Sequence, residues 1–294
     1  MKSSAAAFVP PALDFAGPKP QISEKHFKVM TDLMLAESGI YLNHTKLSML
    51  ESRLVKRLRE SNCENFDEYI QQLKTNPKER QEFIEALTTN KTEFFRECDH
   101  FDYLKNTVLP EFVAKHAGSS SGKSPSFRMW SAASSTGEEA YTTAMVLTEF
   151  FHLQSPCDFK IVGTDINSKV IEKAKQAVYP AELIKAVRPD WVQKYFQRAA
   201  TQPAQYRVSS DLRSLIKFRI FNLIKDEFNV DIKFDVIFLR NVLIYFQPDV
   251  IELIINKMAR YLKPGGYLFI GHSETLSRIK HPLTDLHSAV FKKV

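Results

Sequence analysis

Residues 127–139 read Phe-Arg-Met-Trp-Ser-Ala-Ala-Ser-Ser-Thr-Gly-Glu-Glu, and the fold turns on this stretch. Phe127–Ala132 reads as a buried strand that runs into a turn of small residues. Gly137–Leu153 follows as a helix. The alternation then repeats. Phe159–Thr164 is a strand and Ser168–Val178 a helix, with further strands expected at Lys217–Phe221 and Phe234–Leu239. Pro248–Leu262 is a helix with proline at its start, and Pro264-Gly265-Gly266 turns into a strand over Tyr267–Gly271. Ala289–Lys293 is expected to close the sheet at its edge. This alternation predicts an α/β fold on a parallel sheet. Residues 180–216 interrupt it and read as an inserted subdomain.

Upstream the pattern is helical. Residues 1–20 are rich in alanine and proline without periodicity and are expected to be a disordered tail. Helices are expected at Ile22–Leu35, Thr45–Ser61, Phe66–Leu73, Lys78–Leu87 and around Phe101–His116, with Ser38-Gly39 as a stop. This places a helical domain over 21–116, a Gly/Ser-rich linker over 117–126 and the α/β domain over 127–294. In the second helix Leu47, Leu50, Leu54 and Leu58 share one face, while Lys46, Arg53, Lys56 and Arg57 form a basic stripe on another arc.

Composition narrows the class. The 294 residues carry a formal charge of +6, a weak pointer to an acidic partner. Cys63, Cys98 and Cys157 lie far apart and are odd in number, so neither disulfides nor structural zinc are expected, and the eight histidines show no ligand spacing, so no metal is expected. Ala5–Val9 is too short for a signal-peptide core, and no apolar run approaches the roughly 20 residues needed to cross a bilayer. A reduced, cytoplasmic protein is the expectation.

The candidate site collects at strand ends, where open α/β sheets bind ligands. Ser131–Glu139 has Gly137 as its lone glycine, so it lacks the G-x-G-x-x-G pyrophosphate cradle, which disfavours a nicotinamide-dependent dehydrogenase. Glu138 and Glu139 suit a positively charged ligand, or equally complement the dipole of the helix they open. Asp165, after Gly163-Thr164, suits a ribose diol or an N-cap. Asn222 with Leu223 suits an adenine edge, and Asn241 within Arg240–Phe246 suits an amino-acid tail or the reacting group; either asparagine reads equally as a turn former. Together these ends describe a nucleoside site without pyrophosphate, which S-adenosylmethionine fits. Just upstream, Thr88–Glu97 (TTNKTEFFRE) groups Asn90, Thr92 and Arg96 with Phe94 and Phe95. Helical spacing puts Thr92 and Arg96 on one face, and the stretch reads as a ligand lid or as an ordinary amphipathic segment.

Five motifs in order, Thr88–Glu97, Ser131–Glu139 (SAASSTGEE), Gly163–Asn167 (GTDIN), Phe234–Phe246 (FDVIFLRNVLIYF) and Leu262–Glu274 (LKPGGYLFIGHSE), resemble the CheR-type chemotaxis receptor methyltransferases over roughly residues 25–294. Ala140 departs from the proline the family often shows, and Ser134 from its Cys or Ala. The resemblance implies a helical N-terminal domain and a Rossmann-like class I methyltransferase domain with a small inserted β-subdomain. It implies S-adenosylmethionine as cofactor and S-adenosylhomocysteine as product, with contacts at Asn90, Thr92, Arg96, Glu138, Asp165, Asn222, Leu223, Asn241 and Val242. It implies methylation of glutamate side chains on chemoreceptors, and a tether-peptide site in some members at the place held here by 180–216.

That chemistry needs little machinery. A glutamate carboxylate is ionised at neutral pH, since its pKa is about 4.3, so an in-line displacement needs no general base. Arg96, and Tyr245 or Arg240, are expected to position the reacting groups. Tyr245 reads equally as a core residue. The stripe Lys46, Arg53, Lys56 and Arg57 is expected to steer acidic receptor helices, or is a solvated helix face. On this reading Thr88–Glu97 comes from outside the sheet domain and acts as lid and interdomain clasp. The alternatives are a methyltransferase of another protein or of nucleic acid, against which stands the lack of an Asn/Asp-Pro-Pro-aromatic motif after the fourth strand, and a non-catalytic cofactor-binding adaptor.

Overall fold

The computed structural model describes residues 20–117, 124–154, 157–199, 205–229, 231–287 and 289–294. The expected tail, apart from Pro20, and most of the expected linker lie outside the described residues. The chain forms two compact units, Met1–Thr88 and Thr89–Val294. The boundary therefore falls well before residue 116. The reason lies in the apolar face of 98–116: Phe101, Leu104, Val108, Leu109 and Phe112 are buried in one core with Phe127, Met129 and Tyr141 of the sheet unit.

Among the described residues the first unit holds four α-helices: α1 (Glu24–Ser38), α2 (Leu47–Glu60), α3 (Phe66–Thr75) and α4 (Pro77–Leu87). Their limits follow from capping. Ser23 Oγ accepts from His26 N, and α1 stops at Gly39 in the left-handed region at φ 71°. Asn65 caps α3, and Asn76 caps α4 ahead of Pro77 at its first position. Met30, Met34, Leu50, Leu54, Leu58, Phe66, Tyr69 and Phe83 fill the core.

The second unit opens with α5 (Cys98–Tyr103), a π-helical turn over Leu104–Val108 and α6 (Leu109–His116). Its strands are β1 (Ser126–Ala132), β2 (Asp158–Asp165), β3 (Val178–Pro180), β4 (Phe196–Arg198), β5 (Gln205–Val208), β6 (Ile216–Ile220), β7 (Phe234–Leu239), β8 (Leu262–Ile270), β9 (Leu283–His287) and β10 (Val290–Lys293). Among them run α7 (Glu138–Gln154), α8 (Ser168–Gln176), α9 (Ala181–Ile184), α10 (Pro189–Tyr195), α11 (Ser210–Ser214) and α12 (Pro248–Tyr261). Among the described residues the main sheet has seven strands in the order β6-β2-β1-β7-β8-β10-β9. The first five run parallel, whereas β10 is antiparallel to both neighbours. Alternate residues of β1 feed opposite cores: Phe127 and Met129 join α7, while Trp130 and Ala132 join α12.

Two sequence readings change here. The C-terminal strand does not form the edge, because β10 lies between β8 and β9. β9 escapes detection because only Leu283 of its five residues is buried, which leaves no apolar alternation to read. Pro264-Gly265-Gly266 lies within β8, next to a register shift at Phe234/Val236, and does not precede the strand. The insertion carries a three-stranded sheet in the order β3-β5-β4.

Candidate active site

The strand order reverses between β1 and β7, since β1 continues to β2 on one side and pairs with β7 on the other. Chain segments leaving these C-terminal ends converge at such a switch point. Asp165 ends β2 in register beyond Ala132↔Thr164 and is buried. Its Oδ2 accepts from Ser135 N at 2.9 Å and its Oδ1 from Asn167 N at 2.9 Å, so its position is fixed by backbone from both strand ends. Gly137 occupies φ 97°, and a Cβ there would meet Ala174 Cβ at 3.0 Å and Tyr179 Oη at 3.1 Å. Glu138, opening α7, is buried and accepts from Thr136 Oγ1 at 2.6 Å; burial pushes its carboxyl above the usual range despite that bond. Ser134 Oγ is buried without a hydrogen-bond partner among the described residues. Buried carboxylates and an unpartnered hydroxyl fit a ligand that brings a hydroxylated nucleoside and positive charge.

The stretch 88–97 is not a helix. It is irregular up to Glu93, and Phe95 and Glu97 adopt φ 57° and φ 54°, which breaks helical continuation. It also belongs to the sheet unit from Thr89 on, so Asn90, Thr92 and Arg96 do not come from outside that domain. Phe94 anchors it, buried edge-on against Tyr179 at 5.0 Å and Phe196 at 5.6 Å of the insertion. Phe95 meets Phe101 at 5.9 Å and Trp191 at 5.8 Å, and its N–H donates to Thr142 Oγ1 at 3.2 Å. The Asn90 carbonyl accepts from Ser135 Oγ at 2.9 Å, joining the stretch to the turn after β1. Arg96 is half-buried and its Nη1 donates to the Lys91 carbonyl at 2.9 Å; Thr92 is half-buried beside it in sequence.

Beyond β7, Arg240 is a buried hub. Its Nη2 lies 3.0 Å from Glu97 Oε2 and also donates to the Arg96 carbonyl, while Nη1 lies 3.3 Å from Glu139 Oε2. The guanidinium stands 5.4 Å from the ring centroids of Phe101 and Phe238. Four of the five Arg240 guanidinium N–H donors thus meet protein groups, which suits positioning better than direct contact with a substrate. Glu139 turns to Ser131 Oγ at 2.6 Å and to Arg240, and burial raises its pKa against the pull of that cation. Burial opposes the charge on Glu97 too, but the Asn241 hydrogen bond and the Arg240 guanidinium outweigh it and hold the carboxyl below the usual range.

Asn241 sits in the left-handed region at φ 56°, with Nδ2 on Glu97 Oε1 at 2.9 Å. Val242 packs on the α12-side core, and Tyr245 is half-buried in a 3₁₀ turn over Leu243–Tyr245. Asn222 Oδ1 accepts from Ile224 N at 3.0 Å and Lys225 N at 3.3 Å, so that oxygen forms the turn after β6. Leu223 is buried in the same core as Trp130.

Sequence reasoning did not single out Glu97, His100 or Glu274 as site residues. Two of them stood inside motifs already marked: Glu97 ends TTNKTEFFRE and Glu274 ends LKPGGYLFIGHSE. For Glu274, an acidic residue after an apolar strand was the available signal. Glu97, His100 and His272 bring ligand atoms within 4.8 Å of one another. Both Glu97 oxygens are already engaged, however, and the Arg240 guanidinium 3.0 Å away opposes a cation.

The basic stripe divides. Arg57 is buried and clamps Glu79 with contacts of 2.6 and 2.8 Å from Nη2 and 3.1 Å from Nε, and Tyr69 Oη donates to the same carboxylate at 2.9 Å. It is an internal ion pair and not a surface that steers a partner. Burial lowers the Arg57 pKa, but Glu79 more than offsets this and holds the guanidinium above its ordinary value. Arg53 Nη1 donates to the Ala86 and Thr88 carbonyls at 3.2 and 2.8 Å and caps the end of α4. Lys46 and Lys56 remain exposed.

Fold and site together define the class: an S-adenosylmethionine-dependent methyltransferase on a Rossmann-like sheet. The chain belongs to the CheR methyltransferase family, matching its SAM binding domain over residues 90–291 and its all-alpha domain over residues 25–88. It is 38% identical over 262 residues to a chemotaxis protein methyltransferase of Salmonella typhimurium, covering 88% of this chain and 86% of the relative. It is likewise 38% identical over 267 residues to one of Escherichia coli K12, covering 90% and 88%. A Borreliella burgdorferi protein of the same description is 38% identical over 258 residues, covering 87% and 89%.

Proposed function

We propose that the chain methylates glutamate side-chain carboxylates of chemoreceptors, forming the methyl esters used in sensory adaptation. The observation that carries this reading is the contrast between its two site arginines. Arg240 is enclosed by Glu97 and Glu139, whereas the described side-chain bond of Arg96 is one, to the Lys91 carbonyl. A half-buried guanidinium with remaining donor capacity beside the cofactor loop is a fitting receptor for an incoming carboxylate. The chemotaxis names of its relatives support the same substrate class.

When bound, S-adenosylmethionine supplies an electrophilic methyl group. Asp165 would hold the ribose, Glu138 and Asn241 the charged tail, and Asn222, Leu223 and Val242 the base. Asn90, Thr92 and Arg96 would cover the site from the anchored 89–97 segment. The substrate carboxylate arrives ionised, so these residues orient it and exclude water, and take no proton. The partners proposed are acidic cytoplasmic receptor helices, with Lys46 and Lys56 as the exposed remainder of the stripe, and a receptor tether peptide at the β3-β5-β4 insertion. No nucleic-acid partner is proposed. No helix among the described residues is long and apolar enough to cross a membrane, and the three free cysteines suit a reducing cytoplasm.

The test is transfer of labelled methyl from S-adenosylmethionine to receptor-rich membranes, followed by mild base. Release of volatile label identifies esters. Base-stable label, or transfer unaffected by Arg96→Ala, would reject a glutamate substrate held at Arg96. Asn241→Ala should weaken cofactor binding in calorimetry. Tyr245→Phe should lower turnover more than cofactor affinity.

A further inference from the structure

Glu274 follows β8 in the turn Gly271-His272-Ser273-Glu274 and points back toward the loop after β7. Its Oε2 accepts from Gly271 N at 2.5 Å and from Asn241 N at 3.0 Å, and its Oε1 accepts from Leu243 N at 2.7 Å. One side chain thus binds the backbone of two strand-end loops. It does so at a residue held in the left-handed region, since Asn241 has φ 56°. Gly271 completes the arrangement, because a Cβ at 271 would stand 2.5 Å from Asn241 Nδ2 and 2.8 Å from Asn241 N. Buried loop N–H groups need acceptors, and here a single carboxylate supplies them.

We propose that Glu274 is a positioning residue for methyl transfer: it clamps Asn241 in the left-handed conformation and so aims the Asn241 side chain and the Leu243–Tyr245 turn into the site. This rests on the reading of the 240–245 loop as part of the cofactor and substrate site. Glu274 touches no reacting atom in this scheme. Glutamine at 274 keeps one good acceptor and replaces the other with a donor facing backbone N–H groups, so the clamp opens while side-chain volume is retained. Glycine at 241 adopts the left-handed region without strain and makes the clamp less necessary.

The experiment is a double-mutant cycle on S-adenosylhomocysteine affinity, measured by calorimetry with Glu274→Gln, Asn241→Gly and the pair. Glu274→Gln alone should weaken binding tenfold or more. In the Asn241→Gly background the same change should matter at least threefold less, because a purely structural role gives effects that multiply. Binding by Glu274→Gln within twofold of wild type overturns the inference alone, and so do independent effects in the cycle. Unchanged binding by Asn241→Gly removes the loop from the site and overturns the underlying reading as well. Should Glu274→Gln fail to fold, Gly271→Ala decides: with Glu274 intact, its Cβ presses on Asn241 and should also weaken binding tenfold, and wild-type affinity overturns the proposal.

Discussion

Asn241 Nδ2 donates to Glu97 Oε1 at 2.9 Å, joining the loop after β7 to the end of the TTNKTEFFRE stretch. The other Glu97 oxygen holds Arg240, so one carboxylate fixes two residues of the candidate site. Glu97→Gln retains one acceptor where two are needed and leaves Arg240 with less counter-charge. Removing one member of a buried pair costs about 3–5 kcal/mol. The expected outcome is a loss of that size in chemical denaturation together with weaker S-adenosylhomocysteine binding. Wild-type stability would place Arg240's compensation in Glu139 alone.

His100 is buried against Phe238, Phe269 and His272, and burial, then Arg240 and His272, push its pKa down to about 4. An imidazole kept neutral in the fold binds fewer protons than in the unfolded chain between about pH 6.5 and 4. Stability from this residue is therefore complete above about pH 6.5 and falls as pH drops toward 4, by about 3 kcal/mol in all. Glu97 acts in the same direction, since its lowered pKa gives stability above the usual carboxylate range that is lost as pH falls through the folded value. The His100→Leu variant should flatten the melting-temperature profile between pH 6.5 and 4. A parallel profile would mean that His100 is not the titrating group.

Arg57 and Glu79 form an internal pair of the first unit, with Tyr69 as third member. Arg57→Ala should lower that unit's stability by about 3–5 kcal/mol, by leaving Glu79 buried without its counter-ion. Arg57→Met with Glu79→Gln should recover most of the loss, because no charge is then stranded. A double variant as unstable as the single would show that packing of the guanidinium stem, and not charge, is what matters.

The parallel sheet was legible because Phe127–Ala132 and Phe234–Leu239 are largely apolar runs between turns, interrupted by Arg128, Ser131 and Asp235, which is close to what strands buried on both faces require. Asp165 and Asn241 were legible as polar residues at or just after the ends of strands β2 and β7, and Glu138 as an acidic residue at the start of the helix after β1. Glu97, Glu139 and Glu274 were not given these roles, because they rest on Arg240, Asn241 and Leu243, 31 to 144 residues away, and no local period encodes such a pairing. Arg57 misled for a related reason: helical periodicity puts it beside Lys56, yet its position is decided by Glu79 on another helix. The 88–97 stretch read as helical from spacing, whereas two left-handed residues decide its path.

Phe94 is the residue on which that path depends. It is 1% exposed and meets Tyr179 and Phe196 edge-on. Phe94→Ala removes a large buried ring, a change that costs about 3–5 kcal/mol where the surroundings do not collapse. The same change detaches Asn90, Thr92 and Arg96 from their anchor. The expected result is a lower melting temperature with S-adenosylhomocysteine affinity reduced further than stability alone explains. Phe94→Leu should restore most of the affinity, and failure to do so would argue for the aromatic edge contacts.

Lys46 and Lys56 test what survives of the basic stripe. With Arg57 internal and Arg53 turned to the end of α4, the two exposed lysines are what remains of the positive charge proposed to meet an acidic receptor helix. Exposed charges act through long-range attraction, which raises encounter rates and is screened over about 10 Å at 0.1 M salt. Reversing both to glutamate should slow receptor methylation several-fold at low salt, with little effect above 0.3 M. Turnover of saturating substrate and S-adenosylhomocysteine affinity should remain unchanged, because long-range attraction acts on encounter and not on the bound complex. Lys56 also pairs with Glu60 at 3.7 Å, an exposed i,i+4 contact worth about 0.3–0.5 kcal/mol, so its loss should leave folding nearly intact. Methylation rates that match wild type at every salt concentration would place the receptor contact elsewhere on the protein.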